Sequence, residues 1–458
     1  MVLVAVWGTL GSASGAQETA DGADRVQTLT LPDALAFART HHPRLQAARA
    51  RVSAAQANAR IPRAQWFPSV TLGAELLEGT TNNTTSSYLT PSGIALPRIG
   101  GTPITDSGSL RPYASTLVAA GAEQELFDFG RIAAQSAAED ALIAYDVQGE
   151  QVEQLAVQFG AAEAYFSVLA AHEVVSASDR AYERARVHRD EAAAKVRAGL
   201  RPPIDLTRAD ADLTRYDVGR IRARGGLDVA QSGLAAAIGS PEAAIDTDAA
   251  SAAEPPPLPP LSAIRDRALG RQPELARARS RLLADQALTR AIGAEGRPNL
   301  VLSASASGRD GGAPPNSGAP SAHAGWVPEV PNWDVGVVLR WPLFDGVRNA
   351  RKDTAAKREQ ISQAQIEVLR QQLLADVEQA YTSARVAEAS LTALQRAAEA
   401  ARANYTQAEA RFKGGLATTV ELADAEAVRT QSEIDVAVGR FNLERTRAFL
   451  SRLTAEVP

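Results

Sequence analysis

Apolar residues in the last third of the chain recur at spacings of three and four over an unusually long stretch. The stripe comprises Leu373, Val377, Ala380, Ala384, Ala387, Leu391, Leu394, Ala398, Ala401, Tyr405, Ala408 and Phe412. A heptad pattern of this length predicts a long helix in a left-handed coiled coil, because helices of compact domains seldom need about five heptads. Alanine at many of these positions would let a partner helix approach closely.

Four shorter runs alternate between apolar and polar residues, which predicts β-strands at about 69–78, 115–126, 299–308 and 333–342. Each run has about the 10-residue length of a membrane strand, with one apolar and one polar face. Aromatic residues near the strand ends are typical of a membrane interface: Trp66, Phe67, Phe127, Trp333, Trp341 and Phe344. Two small soluble sheets would alternate in the same way, so the strands alone leave both interpretations open.

The same order of features occurs twice, which indicates an internal duplication. Pro43 opens the first copy as Pro273 opens the second, and Leu-Phe-Asp elements end at Asp128 and Asp345. Each copy reads helix, strand, loop, strand, long helix, turn, helix. Glycine ends each long helix at a predicted tip turn, and these turns contain Gly199, Leu200, Gly415 and Leu416.

This duplication sets the predicted domain organisation. A short apolar run followed by small residues predicts a signal peptide at 1–16. The first repeat covers 17–238 and contains a coiled-coil hairpin at about 131–238. A Pro-rich equatorial linker follows at 239–260. The second repeat covers 261–458 and contains a hairpin at about 346–453.

Composition excludes several classes of protein. The chain has 458 residues, a net charge of -5 and no cysteine. The acidic balance argues against nucleic-acid binding, and the missing cysteine excludes disulfides, thiolate metal sites and a lipid anchor on cysteine. No run reaches the roughly 18 to 20 apolar residues of a membrane helix, which excludes a helical inner-membrane protein. We find no cofactor motif, metal-ligand pattern or nucleophile–base pair, so the sequence favours a protein that is not an enzyme and uses neither cofactor nor metal.

Membrane strands would require oligomerisation. Four strands cannot close a barrel, and an open sheet edge in lipid leaves backbone groups unpaired. Closure needs at least about eight strands, so two, three or four chains would have to share one barrel. The strands by themselves do not choose among these numbers.

The ordered motifs resemble the TolC-like outer membrane factor family from about Leu29 to Ala455. The resemblance is carried by the Pro43 and Pro273 openings, the two Leu-Phe-Asp elements, the segment 164–169 and the two tip turns, each followed by an aliphatic-acid-aliphatic triplet. Each motif is weakly specific, but their duplicated order is highly specific.

The resemblance implies an α+β, mainly α fold. Duplicated antiparallel coiled-coil hairpins would form a trimeric α-barrel in the periplasm, and four strands per chain would contribute to a shared twelve-stranded β-barrel in the outer membrane. It further implies an exit duct of a tripartite efflux or secretion system. The expected partners are two further copies of the chain, outer membrane lipid, a periplasmic adaptor and an inner-membrane pump, commonly of the resistance-nodulation-division type.

The family match also points to site residues at the periplasmic tip. Glu421 and Asp424 match positions at which the family's channel carries acidic rings, although acids at a helix start are also favoured by the helix dipole. The resemblance also implies a periplasmic tip that opens and closes. Two contacts that hold this tip closed in the family's prototype are altered here, because a tyrosine and an arginine are replaced by Phe412 and Ala417. Asp205 matches their acidic partner. We hypothesise that Arg208 substitutes for the missing arginine by pairing with Asp205 or with an acid of the adjacent hairpin.

A non-channel coiled-coil scaffold of the cell envelope is the alternative function. It would explain the heptads and the alanine seam. It would not explain the alternating strands, the aromatic residues at their ends or the duplication.

Overall fold

The computed structural model describes residues 27–80, 112–248, 257–311 and 330–456. The predicted signal peptide lies outside these residues. The elements, in chain order, are β1 (Gln27–Leu29), α1 (Leu31–His41), α2 (Pro43–Asn58), α3 (Arg60–Ala64), β2 (Ser69–Thr80), β3 (Pro112–Phe127), α4 (Arg131–Arg197), α5 (Pro203–Ile238), β4 (Ile245–Thr247), α6 (Leu261–Arg271), α7 (Pro273–Ala294), β5 (Asn299–Gly311), β6 (Val330–Arg340), α8 (Gly346–Lys413) and α9 (Thr419–Leu453). This mainly helical duplicated order confirms the predicted fold class.

The chain divides into two compact units. The first unit contains Met1–Ala47, Gln151–Gln272 and Gln372–Pro458, and the second contains Ala48–Glu150 and Pro273–Gln371. Both tip turns belong to the first unit, whereas the four long strands belong to the second.

The heptad stripe of α8 is buried as its spacing predicts. From Leu373 to Phe412, each of its members is buried or half-buried, while most residues between them are exposed. Small residues make close packing possible here. Gly439 on α9 lies so near α8 that an added Cβ would meet the Leu394 Cδ1 atom at 2.8 Å.

The aspartate of each Leu-Phe-Asp element caps the long helix that follows it. An Asp128 oxygen accepts from the Ile132 backbone N–H at 2.5 Å, and Asp345 accepts from the Val347 N–H at 2.9 Å. These carboxylates satisfy backbone donors that have no partner inside the helix. The repeated motif therefore sets where α4 and α8 begin.

The core of the first unit surrounds the segment 164–169 on α4. Tyr165 and Val168 are buried against α1, α5 and α9. The Tyr165 hydroxyl donates to the Asp248 carbonyl at 3.1 Å. Beside it, β1 pairs in parallel with β4, so part of the Pro-rich linker is joined to the start of the described chain. The sequence pattern did not predict this pairing.

The second unit contains an antiparallel sheet in the order β2-β3-β5-β6. Its register places Val70 beside Ala122 and Ala122 beside Ala304, while Ala304 lies beside Val335. Since side chains alternate between faces, these residues share one face, and Thr71, Ser303 and Asp334 belong to the other. Strand β6 ends at Arg340, two residues before the expected limit, where Pro342 cannot supply a ladder N–H.

None of the described helices is both long enough and apolar enough to cross a membrane.

Candidate functional site at the hairpin turns

The two tip turns have the same backbone geometry. Gly199 and Gly415 adopt positive φ angles of 69° and 74°. The next amides reach back five residues, since the Leu200 N–H donates to the Lys195 carbonyl and the Leu416 N–H to the Arg411 carbonyl, at 2.9 and 2.8 Å. This is the Schellman arrangement, in which glycine accepts a left-handed conformation without a Cβ penalty. Leu200 and Leu416 are each 75% exposed. Each hairpin therefore ends in a rigid turn that presents one leucine.

Glu421 and Asp424 both lie exposed in the first turns of α9. The Glu421 backbone N–H donates to the Thr418 side chain at 3.2 Å, which caps the helix. Its carboxylate is 4.0 Å from an Arg411 nitrogen, whereas Asp424 makes no ion pair with the described residues. Both acids are therefore available at the surface of a single chain, and whether they form a ring stays a prediction.

Asp205 has a different partner from the one we hypothesised. It is buried and lies 3.6 Å from an Arg201 nitrogen. Arg208 is exposed and, among the residues that the structure describes, pairs with neither Asp205 nor another acid of its own chain. A pairing with a hairpin of another chain stays a prediction.

Two cationic side chains contact the ring of Phe412. Its ring centroid lies 5.1 Å from Lys195 Nζ and 5.2 Å from Arg201 Cζ, so cationic groups from the first hairpin contact the second. Phe412 also belongs to a buried cluster with Tyr405, Ala417, Leu422 and Ala425. Phe412 therefore joins the two hairpins at this turn through packing and cation–π contacts.

A buried ion pair lies behind the turns. Arg184 on α4 donates to both oxygens of Glu426 on α9, with distances of 2.7 to 2.9 Å, and Thr430 donates to the same carboxylate. The Glu426 side chain is only 4% exposed. Residue spacing did not identify this pair, because a single sequence does not show which helix packs beside which.

Glu433 forms a second charged cluster with Arg180, Arg402 and Arg429, at nitrogen–oxygen distances of 3.2 to 3.3 Å. Burial alone would raise the pKa of Glu433, but hydrogen bonds from the three guanidinium groups hold that pKa below its usual value. The carboxylate therefore stays ionised and joins α4, α8 and α9. One sequence signal exists for these clusters, since Arg180, Arg184 and His188 follow each other at spacings of four on α4.

The predicted interface aromatics are exposed and lie near the sheet. Trp66 and Phe67 precede β2, Phe127 ends β3, and Trp341 follows β6. All four lie at the end of the sheet from which the long helices start. Phe344 lies just before α8 and is 85% exposed. Trp333 lies farther along β6, opposite Ala306. No group of three or more metal-ligating side chains occurs in the described part of the chain.

Comparisons with known proteins agree with this arrangement. The chain is similar in fold to the outer-membrane channel OprN, with 22% identity over 98% of both chains and a TM-score of 0.70. It is similar to VceC of Vibrio cholerae, with 18% identity over 93% of this chain and 96% of that one and a TM-score of 0.69. The open MtrE channel of Neisseria gonorrhoeae gives 20% identity over 93% and 89%, with a TM-score of 0.69.

No curated protein sequence matches the chain significantly. The sequence does match the family described as outer membrane efflux protein, over residues 35–240 and 264–456. These ranges cover both repeats, including the two hairpins and the four-stranded sheet. The chain therefore belongs to the outer membrane efflux protein family.

Proposed function

We propose that this outer membrane efflux protein is a homotrimeric exit duct, in which three four-stranded sheets close one twelve-stranded barrel. The observation that carries this proposal is the sheet itself. Within the described residues, the outer edges of β2 and β6 pair with no further strand. Open edges of this length invite pairing with another chain, and closure removes them.

The two faces of the sheet support a membrane setting. Val70, Leu72, Trp333, Val335 and Val337 share one face and are all highly exposed in the single chain. The opposite face carries Glu123 and Arg340, whose side chains are 2.9 Å apart. An apolar outer face and a polar lumen are the pattern of an outer-membrane barrel.

The spacing of the tryptophans agrees with the thickness of a membrane. Trp333 and Trp341 are separated by eight positions along and just beyond β6. At about 3.3 Å per residue this separation is roughly 26 Å along the strand. A strand tilt of about 40° leaves roughly 20 Å along the membrane normal, which is near the apolar band of about 25 Å between the aromatic girdles of such barrels. We therefore assign Trp333 to one interface, and to the other Trp66, Phe67, Phe127, Trp341 and Phe344.

The hairpin turns would form the periplasmic end of the duct. Exposed Leu200 and Leu416 offer paired apolar contacts for a periplasmic adaptor, which would connect the duct to an inner-membrane pump of the resistance-nodulation-division type. Glu421 and Asp424 would form acidic rings around the opening, where they would attract cations. The family assignment favours this function over the scaffold alternative.

Membrane separation and native mass measurement test the proposal. We expect the protein in the outer membrane fraction and, after extraction in detergent, a species of three chains that conducts ions in a planar bilayer. A soluble monomer or dimer would refute the shared barrel.

A matched pair of substitutions tests the orientation of the sheet. Leu72→Arg places a charge on the apolar face and should reduce outer membrane assembly, since such a charge costs about 2 to 4 kcal/mol at mid-membrane. Thr71→Arg places it on the polar face and should assemble normally. If Thr71→Arg reduced assembly and Leu72→Arg did not, the two faces of the sheet would be reversed.

A further inference from the structure

A small cavity of about 40 Å³ lies among the four helices behind the tip turns, and we call it the tip cavity. Alanines form much of its wall, and the polar side chains around it are those of His188, Asp212, Tyr216, Thr419 and Glu426. One ordered water needs only roughly 10 to 15 Å³ of such space together with polar partners. The tip cavity therefore has the room and the polarity to hold water.

His188 connects the two hairpins beside this cavity. Its Nε2 atom is 2.9 Å from the Tyr405 hydroxyl oxygen, which joins α4 to α8. Its other ring nitrogen, Nδ1, is buried and has no hydrogen-bond partner among the described residues. A neutral imidazole carries one N–H and one acceptor, so whichever tautomer forms, Nδ1 needs a partner that the described residues do not supply. Water in the tip cavity would provide it.

The surroundings of His188 carry charges of both signs. They are Arg184 and Glu191 on α4, Asp212 and Tyr216 on α5, Tyr405, Glu409 and Lys413 on α8, and Glu426 and Arg429 on α9. The two carboxylates that line the cavity are already paired, since Glu426 binds Arg184 and Asp212 binds Arg215. Burial lowers the pKa of His188, against the opposing effects of the carboxylates of Glu191, Glu409 and Glu426. His188 is therefore neutral at pH 7.

Protonation would fix the direction of the hydrogen bond between His188 and Tyr405. In the neutral pair, the Tyr405 hydroxyl can donate to Nε2. An imidazolium donates from both nitrogens, so the hydroxyl would have to accept and its own hydrogen would lose this partner. The new charge would also lie beside a ring already contacted by Arg184 and Arg429, whose Cζ atoms are 5.9 and 4.8 Å from the Tyr405 centroid.

We propose that His188 is a proton-binding site reached through water in the tip cavity, and that its protonation weakens the packing of α4 against α8. This inference concerns the two hairpins of a single chain and does not rest on the exit-duct function. The folded state favours neutral His188. The free energy of unfolding is therefore highest above the ordinary histidine pKa of about 6.5, and it decreases as the pH drops below that value.

Hydrogen exchange measured by mass spectrometry on the full-length protein in detergent tests the proposal. We expect amide protection in peptides covering 184–192 and 401–409 to fall on acidification from pH 7.5 to 5, after correction for intrinsic exchange. The expected fall is up to about tenfold for each unit by which folding lowers the pKa. In His188→Gln, the loss of amide protection that is caused by protonation of His188 should disappear. His172→Gln, on the same helix but paired with Asp246 at 2.6 Å, should retain it. A full acid response in His188→Gln would overturn the proposal.

Exchange of the imidazole C2 hydrogen tests the same site without any substitution. This exchange follows the protonation of individual histidines in the native protein. We expect His188 to titrate below the ordinary value and to exchange more slowly than exposed His41. Titration of His188 at or above the ordinary value would refute the proposal, even if the glutamine variant failed to fold.

Discussion

Arg201 lies against Phe412, with its guanidinium carbon 5.2 Å from the ring centroid, and so connects the turn of the first hairpin to the end of α8 in the second. The same guanidinium is 3.6 Å from the Asp205 carboxylate. One arginine therefore links an acid of its own hairpin with an aromatic ring of the other. Arg208, which we expected to pair with Asp205 or with an acid of the adjacent hairpin, makes no ion pair with the described residues of its own chain.

We predict that Arg201→Ala increases the open probability of the reconstituted channel. Loss of a cation–π contact worth about 1 kcal/mol should shift a closed–open equilibrium about fivefold. Single-channel recording measures this directly, and Arg201→Lys should show a smaller effect because it retains the charge. Arg208→Ala is the matched comparison. If Arg208→Ala opens the channel and Arg201→Ala does not, the closing contact is made by Arg208 with another chain.

Arg184→Ala should strongly destabilise the protein. It would leave the Glu426 carboxylate buried without its bidentate partner, and breaking a buried pair in this way costs about 3 to 5 kcal/mol. The control is Arg186→Ala, because Arg186 pairs with Glu183 on the exposed surface and such pairs contribute less than about 1 kcal/mol. Denaturant unfolding of the two variants provides the measurement. Equal losses of stability would show that the burial of Glu426 is energetically unimportant.

The acidic residues at the start of α9 should control ion selectivity. In the proposed trimer, Glu421→Gln and Asp424→Asn together would remove six carboxylates from the opening, so we expect the preference for cations in reversal-potential measurements to fall. Asp435→Asn is a suitable control, because this acid lies about three turns farther along α9. An unchanged preference in the double variant would assign selectivity to another part of the duct.

Gly415→Ala should destabilise the second tip turn by about 1 kcal/mol, because its φ of 74° is strained for any residue with a Cβ. Adjacent Gly414 has no such φ, and a Cβ there would meet the Ala410 carbonyl oxygen at an ordinary 3.5 Å. Gly414→Ala should therefore be neutral or slightly stabilising. Thermal unfolding of the two variants compares them, and similar midpoints would contradict the strain argument.

Local regularities made much of the fold predictable. The heptad stripe from Leu373 to Phe412 identified the buried side of α8, since helical periodicity depends only on spacing along the chain. Glycine likewise marked the turns at Gly199 and Gly415, because few other residues adopt a positive φ at low cost. The duplicated order was also visible, and it carried the family resemblance that the comparison with the outer membrane efflux protein family confirmed.

The sequence by itself determined where the long helices, the four long strands and the two tip turns lie, and which side of α8 is apolar. Only the tertiary structure decided the partners of the charged side chains. Arg184 and Glu426 are 242 positions apart, and Arg201 reaches Phe412 on a different hairpin. Such pairs depend on which helices pack together and in what register. The sequence does not show whether a charged residue faces water or a buried partner, because its burial depends on the helix that packs against its own helix.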